Sequence, residues 1–434
     1  MKRWRIDGAA RRCVAAGFAL LLAAIAAGGP TASRAESPPQ APASFSREGL
    51  ARVGDYIRNE IATEKIPGAI LLIQQHGRPV YFENFGFRDV ENKIPMSADT
   101  IFRLYSMSKP ITSVAAMMLV DDGKLALGDP VSKYIPAFAG VKVGVDKVDA
   151  DGKSVLALEP LNRPITIEDL LRHTSGLTYG FYGDSAARKR YANSDLFEGD
   201  LDNALFVERL AKLPLAEQPG TLWDYGHSTD VLGRVIEVVS GQSLFAFEKQ
   251  RLLDPLGMTE TAFYVADATK RPLIAEPLPT ERFARQVAGL ISDPTIPRRW
   301  ESGGAGMVGT TGDYARFAQM LLNGGTLGGR NYLKPETVTL MTSDHIGPET
   351  KIARDYFYFP GGGSGFGLGF AVRTAQLPNA LLPAGEYRWD GVGGTFFFID
   401  PKDDMFAIFM VQAPSQLGRI EVELKTLIYQ ALDK

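Results

Sequence analysis

Strand signals lie at the two ends of this 434-residue chain, and helix signals fill its middle. Ala69 to Gln75 and Val80 to Phe87 read as strands around a His76-Gly77-Arg78-Pro79 turn. Far downstream, Phe366 to Arg373, Glu386 to Val392, Thr395 to Ile399 and Met405 to Gln412 read as strands. Gly393-Gly394 and Pro401-Lys402-Asp403-Asp404 turn the last three into an antiparallel meander. Apolar helical spacing marks segments near both ends, Leu50 to Ile61 and Leu417 to Leu432, and several between. One sheet built from both ends forces the chain between them to be an insertion. The expected class is α+β, an antiparallel sheet flanked by terminal helices with a mainly helical domain inserted. Residues 45–105 and 295–434 are assigned to the sheet domain and 106–294 to the helical one, with a site between them.

The junction of the two parts carries Leu104-Tyr105-Ser106-Met107-Ser108-Lys109-Pro110, followed by Ile111, Val114, Ala115, Met118 and Leu119 at helical spacing. A helix here places Ser106 in its first turn and Lys109 one turn on, on the same face. A serine hydroxyl attacks only if its proton can leave. A lysine kept neutral by burial or by other cations can take that proton. The helix dipole favours negative charge developing at Ser106. Ser-x-x-Lys alone is common in long chains, so the rest of the sequence has to carry the assignment.

The first 35 residues read as an export signal. Lys2, Arg3, Arg5, Arg11 and Arg12 precede an apolar run from Val14 to Ala27 that is too short to span a bilayer. Ser33 and Ala35 suit cleavage after Ala35, and residues 36–44 form a Pro/Ala/Ser-rich leader. The expected location is periplasmic or secreted, without stable membrane insertion. Cys13 is the only cysteine, so the mature chain is expected to lack disulfides. No basic stripe interleaved with aromatics suggests nucleic acid. No His/Cys/carboxylate spacing suggests zinc, and no Gly-x-Ser-x-Gly elbow suggests an α/β-hydrolase. No metal or cofactor is expected.

Two further segments stand out: Trp223-Asp224-Tyr225-Gly226-His227 before a helix, and Trp389-Asp390-Gly391-Val392-Gly393-Gly394 on a strand. Together with "TIFRLYSMSKPIT", "DDGKLALGDPVSKYIP", "TIEDLLRHTSGL" and "LLDPLGM", in that order along residues 50–430, the chain resembles the serine β-lactamase and penicillin-binding superfamily. It is most similar to the class C-like branch that includes the family VIII carboxylesterases. The resemblance implies Ser106 as the acylated nucleophile, Lys109 as its proton partner and Tyr225 as sharer of the base role. It also implies an oxyanion hole from the Ser106 and Val392 backbone N–H groups. A phenol among cationic or polar groups is expected to have its pKa lowered enough to relay a proton.

The departures bear on substrate. Lactamases of this group carry Lys-Thr-Gly where this chain has Trp389-Asp390-Gly391, so no cation meets a substrate carboxylate there. Alternation puts Asp390 on the face opposite Trp389, and Arg388 also away from it. Tyr-x-Asn is replaced by Tyr225-Gly226-His227, and His227 either orients substrate or packs at the helix start. Trp389, Gly391 and His227 are the candidate substrate-binding residues. His173 is read as structural. Residues 139–163 and 179–200 are irregular stretches where substrate selection would reside. The favoured substrate is a small ester or amide, most of all a carboxylic ester. A β-lactamase or D-amino-acid peptidase, and a non-catalytic penicillin-binding-like protein, remain as alternatives.

Overall fold

The computed structural model describes residues 44–433 except 283–292, 347–349, 353–360 and 377–380. The expected signal and most of its leader lie outside the described residues. Eight antiparallel strands form the main sheet. In chain order they are β1 (Gly68–Gln75), β2 (Arg78–Asp89), β3 (Ile94–Pro95), β4 (Ser364–Phe366), β5 (Ala371–Arg373), β6 (Tyr387–Asp390), β7 (Phe396–Asp400) and β8 (Met405–Val411). Their order across the sheet is β4-β5-β6-β7-β8-β1-β2-β3. The early hairpin therefore joins the late meander along one seam, β1 against β8, with Ala69 opposite Val411 and Gln75 opposite Met405. Every residue of β8 is buried, as its unbroken run MFAIFMV requires of a central strand covered on both faces.

Side-chain alternation divides the sheet residues between two cores. Ala69, Leu71, Ile73, Phe398, Ala407 and Phe409 face the terminal helices α1 (Arg47–Ala62) and α5 (Leu417–Gln430) and meet Val53, Ile57, Leu424 and Ile428. Ile70, Leu72, Trp389, Phe397, Ile408 and Met410 face the other way, toward α2 (Ser108–Asp121), α3 (Ser228–Ser240) and α4 (Thr311–Leu322). Ser46 caps α1 by accepting from the Gly49 amide, and Gly241 ends α3 with φ 71°. Among the described residues, no helix is long and apolar enough to cross a membrane.

Three local readings change. Residues 139–163 hold a regular two-stranded hairpin, Val143–Val148 paired with Ser154–Glu159 around an Asp149–Gly152 turn. The mixed burial of its first strand weakened the period-2 signal. The expected strand Phe366 to Arg373 is instead the β4–β5 hairpin, with Gly369 at φ 103° between the two arms. The helix expected over Ile165–His173 spans only Ile167–Leu171. Thr166 and Asp169 form its capping box, and His173 adopts φ 57°.

The core behind β6 holds charge as well as hydrocarbon. Lys425 of α5 donates to Glu386 at 2.5 Å, and both are almost fully buried. Arg388 lies 3.7 Å from Glu386 and 3.6 Å from Glu421. Burial pulls the Lys425 ammonium down to about 8, against the raising pull of Glu386. Removing Lys425 leaves Glu386 buried without its closest cation, at a cost of about 3 kcal/mol. Lys425→Met is therefore expected to lower the unfolding midpoint well below that of the Lys425→Met/Glu386→Leu double variant. Urea melts that place the single variant level with the double would refute this.

Candidate active site

Ser106 lies in a 3-10 turn, Tyr105–Met107, that runs directly into α2. The serine is thus one turn ahead of the regular helix rather than inside it. Tyr105 adopts φ 49°, a left-handed conformation that costs a bulky side chain about 1–3 kcal/mol and needs support from its surroundings. That support is visible. Tyr314 donates to the Met107 carbonyl at 3.0 Å, and the Met307 amide donates to Ser108 Oγ at 3.0 Å. Gly393 lies so close to the Tyr105 ring that a Cβ there would sit 2.6 Å from it.

Lys109 is 2% exposed, and its ammonium has three partners. Nζ donates to Ser106 Oγ at 3.2 Å, to the Tyr179 hydroxyl at 3.3 Å and to the Gly304 carbonyl at 2.7 Å. It also stands 4.5 Å from the centre of the Tyr225 ring. Burial brings its pKa down to about 7, with Asp230 and Asp390 pulling it back up. Near neutral pH a substantial fraction of Lys109 is therefore a free amine within reach of the serine proton.

Tyr225 follows the short strand Leu222–Trp223 and precedes α3. Its hydroxyl interacts with Ser106 and with the Trp389 indole, and both favour the phenolate. Burial outweighs them and raises the pKa well above that of an ordinary tyrosine. This reverses the expected direction: the resting phenol keeps its proton, because the site is drier than a polar setting would be. The backbone here is pinned from below. Arg188 Nη2 contacts Asp224 at 2.7 Å, while Tyr182 donates to Asp224 at 2.8 Å and to the Tyr225 carbonyl. Gly226 admits the chain at Leu177-Thr178, which passes where a side chain would be.

Trp389 faces this site, its ring 5.4 Å from that of Tyr225 and 5.1 Å from that of Phe366. Asp390 faces the terminal-helix side, opposite Phe396, and burial raises its pKa well above the usual carboxylate range. Arg388 is likewise turned to Glu386 and Glu421. Beyond β6 the chain turns through Gly391-Val392-Gly393-Gly394, with the Gly391 amide donating to Thr395 and the Gly394 amide to Gly391. A Cβ at Gly391 would overlap the Leu104 carbonyl oxygen, so the turn carrying Val392 lies directly against the Ser106 segment.

His227 is buried at the N-terminus of α3. Its Nδ1 lies 3.1 Å from Asp230, and its ring meets the edge of Tyr179 at 4.6 Å. Asp230 also accepts from Ser302 Oγ at 2.6 Å and from the Gly304 amide at 3.2 Å. It thereby holds the glycine turn whose carbonyl binds Lys109. His173 packs its ring 4.9 Å from that of Tyr225, and burial pushes its pKa well below that of a free histidine. Among the described residues, no group of three or more His, Cys, Asp or Glu side chains could hold a metal ion.

Tyr179, Gly304 and Asp230 were missed by sequence reasoning. Asp230 was readable as the i+3 neighbour of His227. Tyr179 lay unsingled among the aromatics of 179–200, and a backbone carbonyl carries no sequence signal.

A family model described as Beta-lactamase matches residues 53–428. Protein Rv1367c of Mycobacterium tuberculosis is 36% identical over 357 residues, covering 80% of this chain and 86% of that protein. Esterase EstB of Burkholderia gladioli is 31% identical over 419 residues, covering 89% and 98%. The solved structure of EstCE1, described as a hydrolase with promiscuous acyltransferase activity, superposes with a TM-score of 0.69 at 28% identity, covering 89% of this chain and 99% of that one. With its antiparallel sheet, terminal helices and inserted helices, this chain has the β-lactamase/transpeptidase-like fold and belongs to the beta-lactamase family.

Proposed function

We propose that this protein is a serine hydrolase that cleaves carboxylic esters through an acyl-enzyme on Ser106. The observation that carries this is the buried Lys109 amine 3.2 Å from Ser106 Oγ, with a pKa brought to about 7. Ser106 Oγ attacks the ester carbonyl as its proton passes to Lys109. The tetrahedral oxyanion is received by the Ser106 and Val392 N–H groups. The C–O bond to the alcohol breaks, and the alcohol leaves with the proton from Lys109. Water then attacks the acyl carbon and gives a proton to Lys109, which returns it to Ser106. Tyr225, protonated at rest, donates to the charge that develops on Ser106 and the leaving oxygen.

Trp389 supports ester over β-lactam as substrate. It closes the strand side of the site with an apolar ring, and Arg388, the nearest cation in sequence, is engaged behind the sheet. A substrate carboxylate finds no counter-charge from β6. The esterase name of the EstB relative agrees with this reading. The acyltransferase activity in the description of EstCE1 favours a second outcome for the same acyl-enzyme, transfer to an alcohol in place of water. We also propose export, from the basic and apolar N-terminal segment with its Ser33/Ala35 junction.

Ser106→Ala is expected to lower hydrolysis of p-nitrophenyl butyrate by about a thousandfold or more with the thermal midpoint unchanged. Persistence of turnover in that variant removes the assignment. Because the free amine is the competent form, kcat/KM for the ester should rise with pH through about 7 and then level. Asp230 holds the Lys109 pKa up, so Asp230→Asn should move this acidic limb to lower pH by roughly half a unit or more. A pH–rate profile that loses height without moving would show that Asp230 acts on structure alone.

A further inference from the structure

The chemistry above leaves unexplained a run of aromatic rings that begins at Lys109 and includes two solvent-exposed members. Tyr179 is the first, its hydroxyl 3.3 Å from Nζ. Phe181 stacks on it, with centroids 5.0 Å apart and planes 19° from parallel. On the other side His227 meets Tyr179 at 4.6 Å, and Phe197 follows 5.8 Å from His227. Trp300 stands 5.7 Å beyond Phe197. His227 is buried, but the outer rings are not: Phe181 is 51% and Phe197 36% exposed. Leaving rings in water forfeits the gain of burying them. Two such rings within one aromatic series beside a reactive lysine make a wall for an apolar ligand.

The proton path decides which part of an ester meets that wall. The departing alkoxide must lie within hydrogen-bond reach of the group that protonates it. That group is Lys109, and Tyr179 touches its ammonium. The alcohol half of the ester then extends from Nζ across Tyr179 onto Phe181 and Phe197. We infer that this wall is the subsite for the alcohol half, and that the alcohol it takes is a flat aromatic or fused-ring one. The inference rests on the ester-hydrolase reading of the same site. The covalent step is unchanged: Ser106 Oγ bonds to the acyl carbon, and the ring-bearing alcohol leaves with the Lys109 proton.

The test compares 2-naphthylmethyl butyrate with ethyl butyrate, two esters of primary alcohols that differ in the ring. Ethyl 2-naphthylacetate carries the ring in the acyl half instead. The protein, Phe181→Ala and Phe197→Ala are assayed on all three. The unaltered protein should favour the naphthylmethyl ester over ethyl butyrate by ~tenfold or more in kcat/KM, and each variant should cut that ratio ~fivefold. The ratio of ethyl 2-naphthylacetate to ethyl butyrate should not follow. Ser106-dependent turnover of ethyl butyrate without a naphthylmethyl preference overturns the inference and leaves the ester-hydrolase reading standing. A variant that slows both butyrates equally, or loses the preference for the naphthylacetate instead, also overturns it. Absence of turnover on every ester overturns both readings.

Discussion

The burial of one ammonium group shapes this site. Lys109 cannot be hydrated where it sits, so the protein supplies a carbonyl, two hydroxyls and a ring face in place of water. Those substitutes come from distant parts of the chain: Tyr179 and Tyr225 from the helical insertion, and Gly304 from the glycine turn before α4. Bringing them together requires these segments to meet at this point. The same dryness lowers the lysine pKa to about 7 and raises that of the phenol. In the proposed mechanism the two groups therefore enter the reaction in opposite protonation states.

Small residues are what allow this contact. Gly391 and Gly393 let the turn after β6 lie against Leu104 and Tyr105. Gly226 lets the Leu177-Thr178 chain cross beneath Tyr225, and Gly304 lets its backbone rest on the Asp230 carboxylate. At each position a side chain would separate two segments that have to touch for Ser106, Lys109 and Tyr225 to meet. Two buried polar groups tie the surroundings to this contact. Asp224 with Arg188 and Tyr182 holds the Tyr225 backbone, and Asp230 holds the Gly304 turn. Such pairs stabilise little in net terms because desolvation offsets attraction, yet they fix one arrangement.

The strand β6 shows how one element serves both sides of the sheet. Trp389 completes the aromatic surface around Tyr225, while Arg388 and Asp390 face the terminal helices. A strand able to offer one residue in two to the site gives up its only nearby cation when the tryptophan takes the inward position. The pattern Arg-Trp-Asp therefore makes the pocket wall apolar, and a shift of one register position would make it charged.

Much of this was legible in the sequence by itself. Hydrophobic period and turn residues determined the meander, the first hairpin, the terminal helices and the order helix-insert-between-strands, because these depend on neighbours within a few residues. The spacing of Ser106 and Lys109 determined that their side chains meet one turn apart, and alternation along β6 determined which of Arg388, Trp389 and Asp390 look inward. The hairpin at Val143–Glu159 and the break at Gly367–Phe370 were not legible, since one strand is half-exposed and the other break is a two-arm turn without a polar signal. Only the tertiary structure decided that Tyr179, Gly304 and Asp230 belong to the site, that His227 meets Asp230 and Tyr179, and that Tyr225 keeps its proton. Those outcomes depend on desolvation and on contacts between segments up to 195 residues apart. Neither quantity is a property of any local stretch of chain.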